Sequence, residues 1–529
     1  MTNLKLKDTL SLRKLLVISI VSYMVIILIG SVSLFFDSNP WFDEITVIIS
    51  LGIGLVLFFA IRFSEKYLFQ QIAVICFFFI VFLLPRIVTY LFMPAIVEWP
   101  FGDDINAETV NAGLLYVLIG TLLFIIGMII ADKFFRPYLP LSSAVVWDDS
   151  YYSTKALVTL FLIVLAFTFY VQVGVGISPY GKMRVENNNA LFQLVKSVFE
   201  FDAAFFLVFS TLLFRNIIEN KSKWISVIMV AFCYIFITGL AGSRSAILRI
   251  MTALTISFIV ISDNFHFRIV KLCMTMFPLV MVGLMVFPLA TLSRVITFRK
   301  HHNYTFSFEY TVTEMFDFQG LESVISSVLN RLGWVLDYAV LIVTQEGDPA
   351  ANEKYMNLLY PTKNIINILL PGNPFPEAKI MTSRVIDVIY RGSQEPSMYS
   401  RYFSEFWTLW GLGYALFGWI EGLLVISFIG FIIYSLYALI IIGFSGFRQF
   451  YLRIWLLFYV VMGIVGNMGF DSAFTTIFFG LLQFTALHFA LFIVQFFYGL
   501  FDGFSKQTVK CYHRRPPSFF HRCKLHPLG

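Results

Sequence analysis

Charge is what this chain has least of: only 13% of its residues are Asp, Glu, Lys or Arg. Soluble domains carry about 25%, so a water-exposed globular surface of this size is excluded. Cysteine is also scarce, at five in 529 residues, which excludes a disulfide framework. Cys76, Cys233 and Cys273 stand in apolar runs, where a thiol packs as a small hydrophobe. Cys511 and Cys523 fall in the tail KCYHRRPPSFFHRCKLH beside His513, His521 and His526. That spacing fits no standard finger, so a basic tail is expected, with no metal and no cofactor. A small-residue cleavage pattern is missing after the first apolar run, which is therefore expected to be a membrane span. No internal repeat is evident either, which counts against a transporter built from duplicated halves.

Hydrophobic residues fill the space that charge leaves, at 58% of the chain with a mean hydropathy of +0.80. Runs of about twenty apolar residues mark membrane helices. They fall near 15–36, 45–61, 70–93, 113–131, 156–174, 198–214, 224–242, 245–261, 272–291, 419–443, 454–470 and 474–497. The expected fold is an all-α polytopic integral membrane protein of about twelve transmembrane helices. Its segments are 1–291 with nine spans, a large loop with an interfacial helix at 292–418, three spans at 419–497 and a basic tail at 498–529.

Lysine and arginine orient the chain, because they concentrate in cytoplasmic loops. With both termini inside, 22 of the 38 basic residues fall in cytoplasmic segments. The first two outer loops, DSNPWFDE and EWPFGDDINAETVN, hold none. The segment 403–418 is ambiguous, and Trp407, Trp410 and Trp419 suit an interfacial position.

The remaining basic residues crowd the outer side. Arg86, Arg244 and Arg249 lie within or at the outer ends of spans, and Arg294 follows the outward end of another. Lys182, Arg184 and Lys196 lie in the third outer loop, where they either pair with Glu186, Glu200 and Asp202 or form a wall facing an anion. Arginine within a bilayer costs about 2.5–3.5 kcal/mol at mid-depth and less near the interface. Snorkelling explains one such residue more readily than four. Arginine also grips phosphate oxygens with a planar fork that lysine lacks. In GLAGSRSAILRIM (239–251) three small residues precede Arg244 and a helix begins beside it, which adds backbone N–H donors toward an anion. Arg86, Arg244, Arg249 and Arg294 are therefore the candidate pyrophosphate-binding set.

In the large loop, apolar residues recur from Leu321 at helical spacing, and Arg384 and Arg391 share the face of a second helical stretch. Together with Arg184 they are candidates for holding a glycan, though a shared basic face is also what a solvated helix shows. Glu405 and His301, the latter followed by His302, are the candidate general bases. The plainer alternatives are a Glu405–Arg401 pair one helical turn apart and a surface histidine pair.

SRSAIL, with Arg244 and Leu248, resembles a motif of O-antigen ligases and polymerases. SEFWTLWGLGYALFGWIEG is similar to their pattern of a glutamate, an aromatic-rich stretch and spaced glycines, here Gly411, Gly413 and Gly418. The chain thus resembles the Wzy-type polymerases of bacterial surface polysaccharide. The resemblance implies a GT-C-like fold in the inner membrane with its large loop in the periplasm. It implies transfer of a growing glycan from undecaprenyl pyrophosphate onto the next lipid-linked repeat unit, with inversion. It also implies a flippase and a chain-length regulator as partners, and no nucleic acid. No clear ligase histidine motif is present, which favours polymerase over ligase. Two further readings stay open. Asp43 or Glu44 in WFDE would be the base of a lipid-monophosphate-dependent GT-C glycosyltransferase, and twelve spans also suit a lipid-linked oligosaccharide flippase.

Overall fold

Polar caps start the long helices. In the computed structural model, α1 (Leu12–Ser31) is capped by Ser11, and α2 (Glu44–Phe63) by a reciprocal Asp43–Thr46 capping box. Asn106 caps α5 (Ala107–Phe135), and Ser153 caps α6 (Thr154–Phe169). Each side-chain oxygen accepts one of the N–H groups that a helix start leaves unsatisfied, a requirement that sharpens where no water is at hand. Between α2 and α5 lie α3 (Lys66–Phe78) and α4 (Leu84–Phe92), joined by a π-helical turn at Phe79–Leu83. Pro85 explains that turn. It lacks an N–H and its ring crowds the carbonyl four residues back, and widening the preceding turn relieves both problems.

The second half of the bundle holds α7 (Phe201–Ile218), α8 (Trp224–Leu240) and α9 (Ala246–Ile261), then α10 (Leu359–Leu369), α11 (Leu409–Gly443), α12 (Gly446–Tyr459) and α13 (Phe470–Ser505). The structure describes residues 9–35, 39–94, 97, 105–140, 153–170, 201–218, 224–240, 246–261, 266–268, scattered positions between 333 and 389, 408–459 and 470–505. Apart from one antiparallel pair of three-residue strands, Thr9–Ser11 with His266–Arg268, the described residues are helical or in turns and connections. Six helices are long and apolar enough to cross a membrane, and Thr154–Phe169, Phe201–Leu213 and Trp224–Thr238 are shorter apolar helices. This is a helical protein of membrane character. The expected span at 272–291 lies outside the described residues.

The most extensive helix contact joins α5 to α11, which run side by side in the same direction. Glycine makes it possible. A methyl group on Gly127 would strike the Ser427 carbonyl, and one on Gly430 the Phe124 carbonyl. Small residues are the usual means by which membrane helices bring their backbones together.

Helix α11 is bent back on itself. Gly418, with φ 75° and ψ −161°, breaks it. Nine residues of continuous helix would separate Gly413 from Gly422 by about 13 Å. Instead, a methyl on Gly422 would lie 2.5 Å from the Gly413 carbonyl oxygen. Residues 409–417 and 419–443 are thus two antiparallel limbs of a hairpin. The first limb starts inside the bundle, since Thr408 is fully buried and its hydroxyl caps the Gly411 N–H at 3.0 Å. Trp410 is therefore not interfacial, as its sequence position implied. It is 2% exposed and packs edge-on to Phe79 in the π-helical turn. Trp419, beyond the break, is exposed.

The pattern from Leu321 anticipates one buried stripe on a loop helix. Residues 336, 337 and 339–344 are helical, and consecutive side chains from Ala339 to Ile342 have no exposure at all. This segment, hereafter the Asp337 helix, sits in the core. Val340 lies against Gly113 of α5, and Ile342 against Gly411 of the first limb.

Gly127→Val should destabilise the protein by about 1–3 kcal/mol or more, because backbone rather than a side-chain tip must give way. Thermal unfolding of purified protein in detergent measures it. The same change at Gly443, which has open space around it, should be much milder.

Candidate functional site

Two arginines singled out in the sequence are described, and each meets a carboxylate and a tyrosine. Arg86 lies one residue beyond Pro85 on α4, and its side chain has no exposure. Its fork closes on Asp337, with Nη2 to Oδ2 at 2.6 Å and Nε to Oδ1 at 3.0 Å. Tyr90, one turn along α4, donates its hydroxyl to the same Oδ1. Gly333 faces the arginine stem so closely that a methyl there would overlap Cδ. The bidentate geometry is the strong form of this interaction. It cross-links α4 to the Asp337 helix.

Arg249 of α9 repeats the pattern in different helices. Its Nη1 pairs with Oδ2 of Asp202 on α7. The Tyr234 hydroxyl on α8 donates to Oδ1 of Asp202 at 2.9 Å and lies 3.4 Å from Arg249 Nη1. The Tyr234 ring stacks on Phe205 with centroids 3.9 Å apart. Asp202, one of the acids offered in sequence as a partner for the basic third outer loop, is here the partner of Arg249. This cluster is less enclosed than the first, with about a third of the Arg249 side chain and a quarter of the Asp202 side chain exposed.

Arg86 and Arg249 thus end on different carboxylates in different helix sets. Arg244 belongs to the connection 241–245 between α8 and α9 and lies outside the described residues. So do Arg294, His301, Glu405, Arg184, Arg384 and Arg391, together with the cysteine- and histidine-bearing tail. What the structure does place are the flanks of the Arg244 connection. Helices α8 and α9 are both held to α7 through Tyr234 and Arg249.

Asp43 is occupied structurally. It accepts the Thr46 N–H at 2.8 Å, and Asn111 Nδ2 lies 3.0 and 2.9 Å from its two oxygens. Burial pushes this carboxyl up, but bonds from the Thr46 N–H, the Asn111 amide, the Thr46 hydroxyl and the Ile45 N–H outweigh it. The group stays below the ordinary carboxylate range. A carboxylate held ionised in this way is a weak proton acceptor. Its neighbour Glu44 is exposed in the first turn of α2.

Two polar clusters that the sequence reading missed lie along α11. The Tyr434 hydroxyl donates to Asp132 Oδ1, while Arg136 Nη2 meets Asp132 Oδ2 at 2.5 Å. One turn on, Arg453 Nε donates to the Tyr437 hydroxyl at 3.0 Å, and Tyr437 donates to Gln70 Oε1 at 2.5 Å. Arg453 is 1% exposed. Asp337 itself was findable. It is one carboxylate in the apolar run WVLDYAVLIV, and a charge buried among apolar residues needs a partner. Among the described residues, no three His, Cys, Asp or Glu side chains converge as a metal site would require.

Comparison with protein-family models, with curated proteins and with solved structures finds no match to this chain.

Removing one member of the buried pair should be worse than removing both. Arg86→Met and Asp337→Leu should each cost about 3–5 kcal/mol, since each strands a charge, while the double variant recovers most of the loss. Tyr90→Phe should cost about 1 kcal/mol. Thermal unfolding in detergent, analysed as a double-mutant cycle, checks this. Additive losses would show that the pair is not coupled.

Proposed function

We propose that this chain is a membrane glycosyltransferase that polymerises a bacterial surface polysaccharide. It moves a growing glycan from undecaprenyl pyrophosphate onto a lipid-linked repeat unit at the outer face of the inner membrane. The GT-C-like architecture of about twelve spans belongs to the same proposal. The observation that carries it is the setting of Arg244. A glycine- and serine-rich connection bearing that arginine joins two helices whose flanks are held to a third by the Arg249–Asp202–Tyr234 cluster.

The sidedness behind the proposal has physical support. Arg13 Nη2 donates to the Ser64 carbonyl at 2.7 Å, and residues 9–11 pair with 266–268. All three segments carry cytoplasmic assignments. On the opposite side, Asn39 donates to the Tyr90 carbonyl at 2.9 Å, and Trp41 Nε1 to the Ile105 carbonyl at 3.0 Å. Those are the acidic loops assigned outside.

In this reading the acceptor hydroxyl attacks the anomeric carbon from the face opposite the leaving pyrophosphate. Glu405 or His301 takes the hydroxyl proton. The C–O bond to pyrophosphate breaks as the new glycosidic bond forms, and the configuration inverts. Arg244, with Arg294, neutralises the charge that develops on the departing oxygen. Arg249, whose Nη1 meets Asp202, and Arg86, whose fork holds Asp337, act as positioning residues. Arg184, Arg384 and Arg391 line the path of the glycan. A flippase that supplies lipid-linked units and a chain-length regulator are the partners this reaction needs. Asp43, committed to capping α2, is not the base.

Purified protein incubated with lipid-linked repeat units should produce a ladder of lengthened glycans. Arg244→Ala should lower the rate by roughly 10²–10³-fold, and Arg244→Lys should also be impaired because it loses the fork. A normal ladder from Arg244→Ala at normal expression would overturn the phosphate role. Movement of lipid-linked units across vesicles without any ladder would favour a flippase.

A further inference from the structure

The Tyr116 hydroxyl is out of keeping with other buried tyrosines of the bundle. Tyr90, Tyr234, Tyr434 and Tyr437 have no exposure, and each donates its hydroxyl to a side-chain oxygen, on Asp337, Asp202, Asp132 and Gln70 respectively. Tyr116, in the third turn of α5, is buried just as deeply. Its hydroxyl has no hydrogen-bond partner among the described residues. A hydroxyl held away from water without a partner is costly. Phenylalanine, of which this chain has 61, would fill the same space without that cost.

What stands beside the hydroxyl is the hairpin of α11. The Tyr116 ring packs edge-on to Tyr414 of the first limb and to Trp419 of the second, with centroids 5.6 and 5.1 Å apart. The point where a methyl on Gly422 would lie is 2.5 Å from the Tyr116 hydroxyl oxygen and 2.5 Å from the Gly413 carbonyl oxygen. A donor on α5 and an acceptor on the first limb thus face one glycine of the second limb. They lie at most about 5 Å apart, the reach of one bridging water. A carbonyl oxygen has two lone pairs, so Gly413 can serve its own limb and accept a second bond. With Tyr116 fully enclosed and the two limbs in glycine contact, only a very small ligand fits.

We propose that one ordered water binds at this point and clips the α11 hairpin to α5. It accepts a hydrogen bond from the Tyr116 hydroxyl and donates one to the Gly413 carbonyl. This site is independent of the glycosyl transfer proposed above.

The test uses full-length protein in detergent, exposed briefly to X-rays so that bound water yields hydroxyl radicals in place, with labelled residues read by mass spectrometry. Tyr116 should be hydroxylated several times faster than Tyr434 and Tyr437, which are buried as deeply but bonded to protein oxygens. Tyr116→Phe removes only the oxygen and should lower the melting temperature by a few degrees. Removing a hydroxyl that truly lacked a partner would instead leave it unchanged or raise it. Labelling of Tyr116 no faster than that of Tyr434 would overturn the proposal even if Tyr116→Phe melts lower, because the hydroxyl would then bond protein directly. A Tyr116→Phe variant melting at or above the parental temperature would overturn it as well, since nothing would then be clipped.

Discussion

The bundle depends on satisfying charge where water is absent. A guanidinium in hydrocarbon has two exits, the interface or a carboxylate, and Arg86 takes the second. Its fork, the two oxygens of Asp337 and the Tyr90 hydroxyl form a closed set in which both charged side chains have no exposure. Such a pair contributes little net stability over an apolar replacement, yet breaking it is severe. That asymmetry makes it a selector of arrangement. Only a packing that places the Asp337 helix beside α4 satisfies both charges, so the pair determines which helix fills the space between α4, α5 and the first limb of α11.

The rest of the core follows from that placement. The Asp337 helix can lie against α5 only because Gly113 has no side chain to meet Val340. The first limb of α11 closes on the same helix through Gly411, and the two limbs close on each other through Gly413 and Gly422. Glycine costs helix stability, but here it removes the volume that would hold the backbones apart. Farther along α11, Tyr434 reaches Asp132 of α5, and Tyr437, three residues on, reaches Gln70 of α3.

How far the sequence was legible follows from the range of each interaction. Helix positions were readable because hydropathy is a local property, and α1, α2, α5 and α8 lie close to the runs that announced them. Arg86 and Arg249 were conspicuous because one ionisable residue in an apolar run is a local anomaly. Their partners were not readable, since Arg86 and Asp337 stand 251 positions apart and Arg249 and Asp202 47 apart. The hairpin at Gly418 was hidden for a different reason. Both of its limbs are apolar, so composition continues across a break that only the backbone angles reveal. The same limit placed Trp410 at the interface, because tryptophan composition cannot separate a belt residue from one packed on Phe79.

The two arginine clusters also bear on how a site for a phosphate could be built here. An arginine that must grip a transient anion has to be held in place without having its own fork filled. Arg249 meets Asp202 through Nη1, and with Tyr234 it joins α7, α8 and α9 next to the connection that carries Arg244. The Asp202 carboxylate offsets its charge. Residues 241–245 are rich in glycine and serine, and glycine has the widest backbone freedom. Anchoring both flanking helices narrows the span it must bridge, and preorganisation of this kind is what makes charge stabilisation effective in catalysis. In the proposed reading the division of labour is between arginines that are engaged by a carboxylate and a tyrosine and hold helices together, and Arg244, to which the phosphate role is assigned.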